Sequence, residues 1–283
     1  MPAQRLNKLM SISIVTIVKN RHTAIVNMIL GINQGLALPA ELLIVHMNEE
    51  PYQLPKSAYS IRQINLKTAE KLPLAKARNY AMTHARFEEV IFLDADCIPG
   101  PELVETYKKA FADETDALFS GRVAYLSPTA MAAPNLLENL NSSATKDPVR
   151  GQIDQYPYEL FWSLNFACTK STFHIIGGFD EEFTGYGAED TDFGFLARRE
   201  NVSIQTIDAF AFHQPHPSYS PPLNHLKDII SNASRFYVKW GTWPMEGWLK
   251  KFADAGLITF NENKIELIRL PEEEELSKAL KPF

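Results

Sequence analysis

The stretch "EVIFLDADCIPGPELVETYKKAFAD", residues 89–113, decides how the rest of the chain is read. Val90 to Leu93 make a continuous apolar run, the mark of a strand buried on both faces. Asp94 and Asp96 end that run. Pro101 then sits in the first turn of a helical segment, where proline is tolerated because its missing N–H is not needed. A buried strand, an acidic corner and a helix form one β-α unit. In parallel α/β sheets the ligand crevice lies beyond the carboxyl ends of the strands, so this corner is where a site belongs.

Working outward, two similar units come before it. "SISIVTIV" (11–18) is β-branched and apolar, and "TAIVNMILGINQ" brings Ile25, Met28, Ile29 and Ile32 round at helical spacing. "ELLIVHM" (41–47) reads as a second strand, and "LPLAKARNYAMTHA" (72–85) as a helix opened by Pro73. Residues 89–96 are then the third strand. This order predicts an α/β fold with a mostly parallel central sheet and helices on both faces. Further on, "DALFSGRVAYL" (116–126) and "SLNFACTK" (163–170) read as strands on either side of a long, partly helical excursion, 127–160. A short helix to Gly177-Gly178 follows the second of them. From residue 223 the texture turns helical: 223–241, 245–257 and a surface helix in "PEEEELSKAL". The expected organisation is a Rossmann-like domain over 1–222, with halves of about 1–115 and 116–222, and a C-terminal helical extension over 223–283.

The composition sets outer limits. A chain of 283 residues with a net charge of −6 has the size for a large core but not the basic face of a nucleic-acid-binding protein. Cys97 and Cys168 make neither a disulfide framework nor a zinc site. The apolar run near the N-terminus meets Lys19 and Arg21 too soon to span a bilayer, and no small-residue cleavage site is seen. The expectation is a first strand, not a signal peptide, and a cytoplasmic protein. Sequons at Asn141, Asn201 and Asn232 then carry no meaning.

Three places carry chemistry. Asp94 and Asp96, two apart on extended chain, leave one face together, and hard oxygen ligands with a nucleotide's phosphates suit Mg²⁺ or Mn²⁺. The bland reading is a turn rich in aspartate. An aspartate-nucleophile phosphatase also uses a DxD, but near its N-terminus and in a different local pattern. The second place is "GGFDEEFTGYGAEDTDFGFLARRE", 177–200. Phe193, Leu196 and Ala197 give helical spacing, so Glu189, Asp190 and Asp192 fall in or before a first turn that favours negative charge. That explains the acids but not the two glycines of "GYGAED", which point to a close backbone approach. A carboxylate fixed there has the position of a general base for an acceptor hydroxyl. The third is "FAFHQPHPSYSPP", where His213 and His216 are candidate metal ligands outside any helix.

In this order the three segments resemble one family. "SIVTIVKNR", "LAKARNYAMTHA" and "IFLDADCIPG" resemble nucleotide-sugar glycosyltransferases of the GT-A fold, glycosyltransferase family 2. The 177–199 segment is similar to the C-terminal catalytic domain of the β-1,4-galactosyltransferases. The resemblance covers about residues 11 to 217. It implies that Asp96 holds Mn²⁺ or Mg²⁺ on the donor diphosphate, with Asp94 on the ribose or sugar or assisting the metal. It implies Asp190 as catalytic base and Glu189 as a ligand of acceptor or donor sugar hydroxyls. His213 or His216 would complete the metal shell, and Arg78, Thr16 and Arg21 would line the nucleotide pocket. The implied activity is an inverting transfer from a UDP-sugar to a glycan or glycolipid-type acceptor, as in polysaccharide biosynthesis, with peripheral membrane contact open. In place of the Asp that many members carry after the second strand stands "VHMNEE", leaving His46, Asn48 or Glu49 to read the base. Two other classes stand beside this one. One is a catalytically silent sugar- or nucleotide-binding module, which has no need of Asp94, Asp96, Asp190 and the histidines together. The other is a sugar nucleotidyltransferase, which wants a glycine-rich loop where "KNRHTA" has none. Trp162, Tyr156, Tyr158 and Tyr186 are candidates to stack on a sugar, or core. Trp240, Trp243 and Trp248 read as helix packing, or as a docking surface for a membrane or partner.

Overall fold

The computed structural model describes residues 12–70 and 72–281. Residues 1–11, read above as leading into a first strand and not a leader, lie outside them. The alternation within the first strands builds two cores. In β1 (Ile12–Val18) and β2 (Glu41–Met47) every residue is buried. Ile12, Ile14, Val18, Leu42 and Ile44 face one core, and Val15, Ile17, Leu43 and Val45 the other. Period-two side chains buried on both faces need helices on both, each buried apolar side chain contributing about 1.5–3 kcal/mol. α1 (His22–Asn33) covers the first core with the expected Ile25, Met28, Ile29 and Ile32.

Between β2 and the next helix the structure holds a strand that the sequence reading passed over, β3 (Ser60–Leu66), parallel to β2. It is an edge strand with one neighbour and is mostly half-buried, so its alternation is diluted by Arg62 and Gln63. α2 (Leu74–His84) follows where "LPLAKARNYAMTHA" predicts it. β4 (Glu89–Leu93) stops short of the strand read over 89–96: Asp94–Asp96 form a turn, closed by Cys97 N–H donating to the Asp94 carbonyl at 2.9 Å, and not an extended pair. A short β5 (Cys97–Pro99) absent from the sequence reading comes next, and α3 (Leu103–Asp113) follows as predicted. Then come β6 (Leu118–Leu126), the excursion with helical turns and a short β7 (Ala144–Lys146), and β8 (Asn165–Thr169). α4 (Lys170–Ile176) is capped by the Thr169 side chain and ends at a left-handed Gly177. α5 (Glu189–Arg199) and β9 (Ile204–His213) complete the main sheet.

The sheet order is β3-β2-β1-β4-β8-β6-β9-β5, with β7 on β6. β3, β2, β1 and β4 are parallel, but β8 inserts antiparallel between β4 and β6, and β5 runs antiparallel to β9. The mostly parallel sheet is thus a mixed one at its second half. A bulge between Gly121 and Val123 bends β6. A Cβ on Gly121 would lie 2.3 Å from Asn165 Nδ2 and 2.6 Å from the Ala209 carbonyl oxygen, so only glycine fits.

Beyond β9 the chain forms β10 (Ser218–Tyr219), α6 (Leu226–Trp240), α7 (Glu246–Asp254), β11 (Ile258–Phe260), β12 (Ile265–Leu267), α8 (Glu273–Ala279) and β13 (Leu280–Lys281). The three helices fall where the sequence put them, and two small ladders, β10-β13 and β11-β12, join them. Their core of Leu226, Ile229, Ala233, Leu249 and Phe252 packs against Tyr186, so this segment seats on the acidic region. Among the described residues no helix is long and apolar enough to cross a membrane.

Candidate active site

Strand ends and one helix start converge on a cleft of about 1840 Å³. β1 delivers Lys19, Asn20 and Arg21, β4 delivers Asp94 and Asp96, β9 delivers His213, and α5 delivers Glu189 and Asp190; all line it. Pairing, not sequence proximity, brings Asp96 to the histidines. Cys97 stands opposite His213 in the β5-β9 ladder, and Gln214 N–H donates to the Asp96 carbonyl at 2.7 Å. Asp96 Oδ1 is then 3.5 Å from His213 Nε2, and Oδ2 is 3.4 Å from His216 Nε2 and 3.6 Å from Arg21 Nε.

This trio fits a divalent ion. Donors about 2.1 Å from a metal and at right angles to one another are themselves about 3 Å apart. His216 Nδ1 lies 3.0 Å from the Pro217 carbonyl, an acceptor, so Nδ1 holds the proton and donates. In the neutral ring Nε2 then turns a lone pair toward a carboxylate, an arrangement completed by a cation between them. Burial pushes the His213 imidazole below its usual pKa, with His216 and Arg21 adding to the effect and Asp96 opposing it. One carboxylate with two imidazoles suits Mn²⁺ better than Mg²⁺, which prefers oxygen alone.

Across the cleft, Arg78 of α2 is the hinge of the acids. Its Nη1 donates to Glu189 Oε1 at 3.1 Å, Nη2 is 3.9 Å from Asp94 Oδ1, and the guanidinium lies 5.2 Å from the Phe179 ring centre. Burial pushes Asp94 up to about 7 against the pull of Arg78, with Asp96, Asp190 and Glu189 adding to the rise. Burial also raises Asp190, to about 6, helped by Glu189 and opposed by Arg78 and backbone N–H groups. Lys19, Arg21 and Arg78 stand among four carboxylates and so offer little net positive charge. A diphosphate entering there needs a further cation.

Below α5, Phe179 stacks on Phe193 at 4.3 Å and Phe92 on Phe166 at 4.4 Å, so the rings of the glycine-rich segment are the floor that fixes the helix. Asp192 is fully buried and accepts from Trp240 Nε1 at 2.7 Å and Lys239 Nζ at 3.0 Å. The acids therefore divide between a structural one, Asp192, and Glu189 and Asp190, which face the cleft. Glu181 and Glu182 are exposed, held by Asn79 and Arg235.

Of the residues singled out in the sequence, Arg21, Arg78, Asp94, Asp96, Glu189, Asp190, His213 and His216 meet in this one cleft. Thr16 does not: it is buried in the middle of β1, where Ile17 and Lys19 reach the cleft instead. Of the aromatic candidates, Trp162 and Tyr186 line the cleft, whereas Tyr156 is buried on Arg150 and Tyr158 donates to the Val202 carbonyl. Of the "VHMNEE" side chains, His46 and Asn48 hold loops, whereas Glu49 lines a pocket of about 790 Å³ that adjoins the cleft, with Tyr52, Arg21, Asp96 and His216. His46 is buried beside Gln63, Asn48 bridges Glu70 and Thr68, and Glu49 accepts from Asn20 N–H and the Tyr52 hydroxyl. Sequence reasoning missed Tyr52 and the C-terminal wall of the cleft, which includes Asn224, His225, Trp243, Met245 and Trp248. Only the aromatic content of the C-terminal helices signalled the latter.

The sequence profile of glycosyltransferase family 2 matches residues 13–170, more than half of the chain. The chain belongs to glycosyltransferase family 2. A second profile, described as the N-terminal domain of galactosyltransferase, matches residues 153–217 of this family 2 chain. Chondroitin synthase of Escherichia coli is 26% identical over 172 residues, 51% of this chain and 25% of the synthase. Hyaluronan synthase of Pasteurella multocida is 25% identical over 219 residues, 66% of this chain and 22% of that protein. Validoxylamine A glucosyltransferase of Streptomyces hygroscopicus subsp. jinggangensis is 23% identical over 189 residues, 59% and 44% of the two chains. The chain thus spans a quarter or less of either synthase. Among solved structures, S. aureus TarS 1-349 in complex with UDP superposes with a TM-score of 0.53 at 14% identity, over 81% of this chain and 66% of that one. GalNAc-T7 with UDP, GalNAc and Mn²⁺ gives 0.53 at 11%, over 87% and 55%. The family 2 chain has the GT-A fold of these neighbours.

Proposed function

We propose that this family 2 chain is a metal-dependent, inverting glycosyltransferase that moves a sugar from a UDP-sugar to a hydroxyl of a glycan or glycolipid-type acceptor. One observation carries the reading: the cluster of Asp96, His213 and His216 and the pair of Glu189 and Asp190 face a single cleft, with Asp94 and Arg78 between them. The two solved neighbours, each with UDP and one with Mn²⁺, support the donor and the ion. The names of the curated relatives support a glycan as product.

In this reading Arg21 and Arg78 face the anionic donor, and Asp94 takes a ribose or sugar hydroxyl. Asp96, His213 and His216 would hold Mn²⁺ in preference to Mg²⁺, and the bound ion would supply Lewis-acid stabilisation of the charge that develops on the leaving diphosphate. Asp190 accepts the proton of the acceptor hydroxyl as that oxygen bonds to the anomeric carbon. The bond from this carbon to the diphosphate oxygen breaks on the opposite face, so one displacement inverts the centre. Glu189 accepts from Arg78 and from Gly187 N–H, which fixes its carboxylate beside Asp190 for a sugar hydroxyl. In the same reading the catalytic domain is 1–222, and the C-terminal extension closes the cleft through residues such as Trp243 and Trp248.

The test is nucleotide release from a panel of UDP-, GDP- and TDP-sugars with Mn²⁺, with Mg²⁺ and with EDTA. Release from one donor, lost with EDTA and with Asp96→Ala, is the expected result. Failure of any nucleotide to bind would refute it.

A further inference from the structure

We propose that Asn232, on α6, is a positioning residue for the transfer step, tying the C-terminal segment to the loop that sets Asp190. The proposal rests on the reading of Asp190 as the base. Neither family profile extends past residue 217, so α6 lies outside both.

The loop Thr184–Ala188 cannot hold its own shape. Gly185, Gly187 and Ala188 all lie in the left-handed region, at φ of 73°, 100° and 72°. Ala188 has a Cβ and is strained there. It is also the residue before α5, whose first turn receives no side-chain cap from it. The constraint comes from outside. Asn232 is 2% exposed, and its Nδ2 donates to the Gly187 carbonyl at 2.9 Å and the Thr184 carbonyl at 3.0 Å, with the Tyr186 carbonyl at 3.4 Å. Both amide protons of one side chain are spent on carbonyls near the two ends of the loop. Three further C-terminal side chains close around it. A Cβ on Gly185 would fall 2.5 Å from the Asp228 carboxylate, and one on Gly187 would fall 3.0 Å from Met245 Sδ. Tyr186, in the loop, stacks on His225 at 4.5 Å.

The last loop residue held by Asn232 also links to the acids: Gly187 N–H donates to Glu189 Oε2, while Glu189 Oε1 accepts from Arg78. Asp190 is the next residue. Releasing the loop therefore moves the base, while Asp96, His213 and His216 stand apart from it. Of the nucleotide residues only Arg78 shares a contact with this region, through Glu189, and Gly185 keeps its own bridge to Pro73 before α2. Misplacing a reacting group by about 1 Å costs on the order of 100-fold in rate.

The experiment compares Asn232→Asp and Asn232→Ala with the wild-type chain. Asn232→Asp keeps the shape of the side chain and turns a carboxylate onto three carbonyl oxygens. UDP and Mn²⁺ binding are measured by calorimetry. Turnover is read as UDP release with acceptor, using whichever of UDP-glucose, UDP-galactose, UDP-N-acetylglucosamine, UDP-N-acetylgalactosamine and UDP-glucuronate the wild-type chain turns over. The expected result is a fall in kcat of about 10- to 100-fold in both variants, larger than any change in UDP affinity and with Mn²⁺ affinity unchanged. Wild-type kcat in Asn232→Asp overturns the proposal. Loss of UDP and Mn²⁺ binding in step with kcat also overturns it, because Asn232 would then support the whole fold. If neither variant folds, hydrogen exchange on the wild-type chain decides. Amides of residues 185–190 exchanging with those of α6 support the tie; a loop that exchanges freely over a protected α6 refutes it. Unchanged transfer in Asp190→Asn, or no turnover of any donor, would sink the functional reading instead, and the exchange measurement stands apart from both.

Discussion

Replacing Asp190 by asparagine keeps the volume of the side chain and removes the only feature the proposed base requires, a proton-accepting charge. General-base catalysis contributes about 10²- to 10⁴-fold, so kcat should fall by that factor, about 2.7–5.4 kcal/mol in barrier at 1.36 kcal/mol per decade. The structure adds a pH signature. Burial and Glu189 push the Asp190 carboxyl up to about 6, and a base works only when deprotonated. Activity should therefore be full above that value and lost as pH falls through it. At pH 5 roughly one molecule in eleven carries the charged form, whereas an unperturbed aspartate, with a pKa of about 3.9, would still be almost wholly charged. Asp94 also titrates in this range, held up to about 7, and the variant separates the two. The slow residual rate of Asp190→Asn should lack the limb near pH 6. The assay is UDP release with saturating Mn²⁺ and acceptor, from pH 4.5 to 8.5. A wild-type acid limb near pH 4, or a variant that keeps the wild-type rate, would refute the assignment.

Other outcomes follow from the same geometry. His213→Ala and His216→Ala should each weaken Mn²⁺ binding at least about 10-fold, measured by titration calorimetry, and leave UDP binding in EDTA unchanged; equal effects on both ligands would argue against a metal role. Arg78→Met should strand the buried Glu189 beside Asp94 and lower unfolding stability by about 3 kcal/mol in a urea titration. A loss under 1 kcal/mol would mean that solvent already screens this pair. Glu41 is buried at the start of β2. Burial alone would raise its pKa, but the Arg86 N–H, Arg62 and the Ser13 hydroxyl together hold it below the usual carboxylate value. Its contribution to stability is thus complete above the unfolded pKa of about 4.3 and declines as pH falls through the lowered folded value. Glu41→Gln should be less stable at pH 7 and show a flatter decline in urea midpoint below pH 4.5. An unchanged slope would count against the assignment.

Much of the site was legible before any folding because it lies at strand ends. Burial on both faces forces a continuous apolar run, so β1, β2 and β4 announce themselves, and the polar residue that stops such a run marks a rim. Asp94 and Asp96 were visible in this way, as were Glu189 and Asp190 at the start of a helix whose apolar spacing ran through Phe193, Leu196 and Ala197. The edge strand β3 escaped notice because a strand with one neighbour and half-buried sides need not keep a clean alternation. The resemblance implies Thr16 as a pocket residue, yet strand period turns it inward.

The sequence by itself determined the order of the doubly buried strands and the main helices, the family and the identity of the acidic and histidine residues, since these depend on local periodicity and on residue type. Only the tertiary structure decided who meets whom. The antiparallel insertion of β8 and the β5-β9 ladder are non-local pairings, for which parallel and antiparallel strands have the same period. That ladder is what brings both histidines, and not one of them, to Asp96. The same holds for Asn232, whose amide is an ordinary polar group on an amphipathic helix until α6 packs down and leaves it the carbonyls of a glycine-rich loop to satisfy.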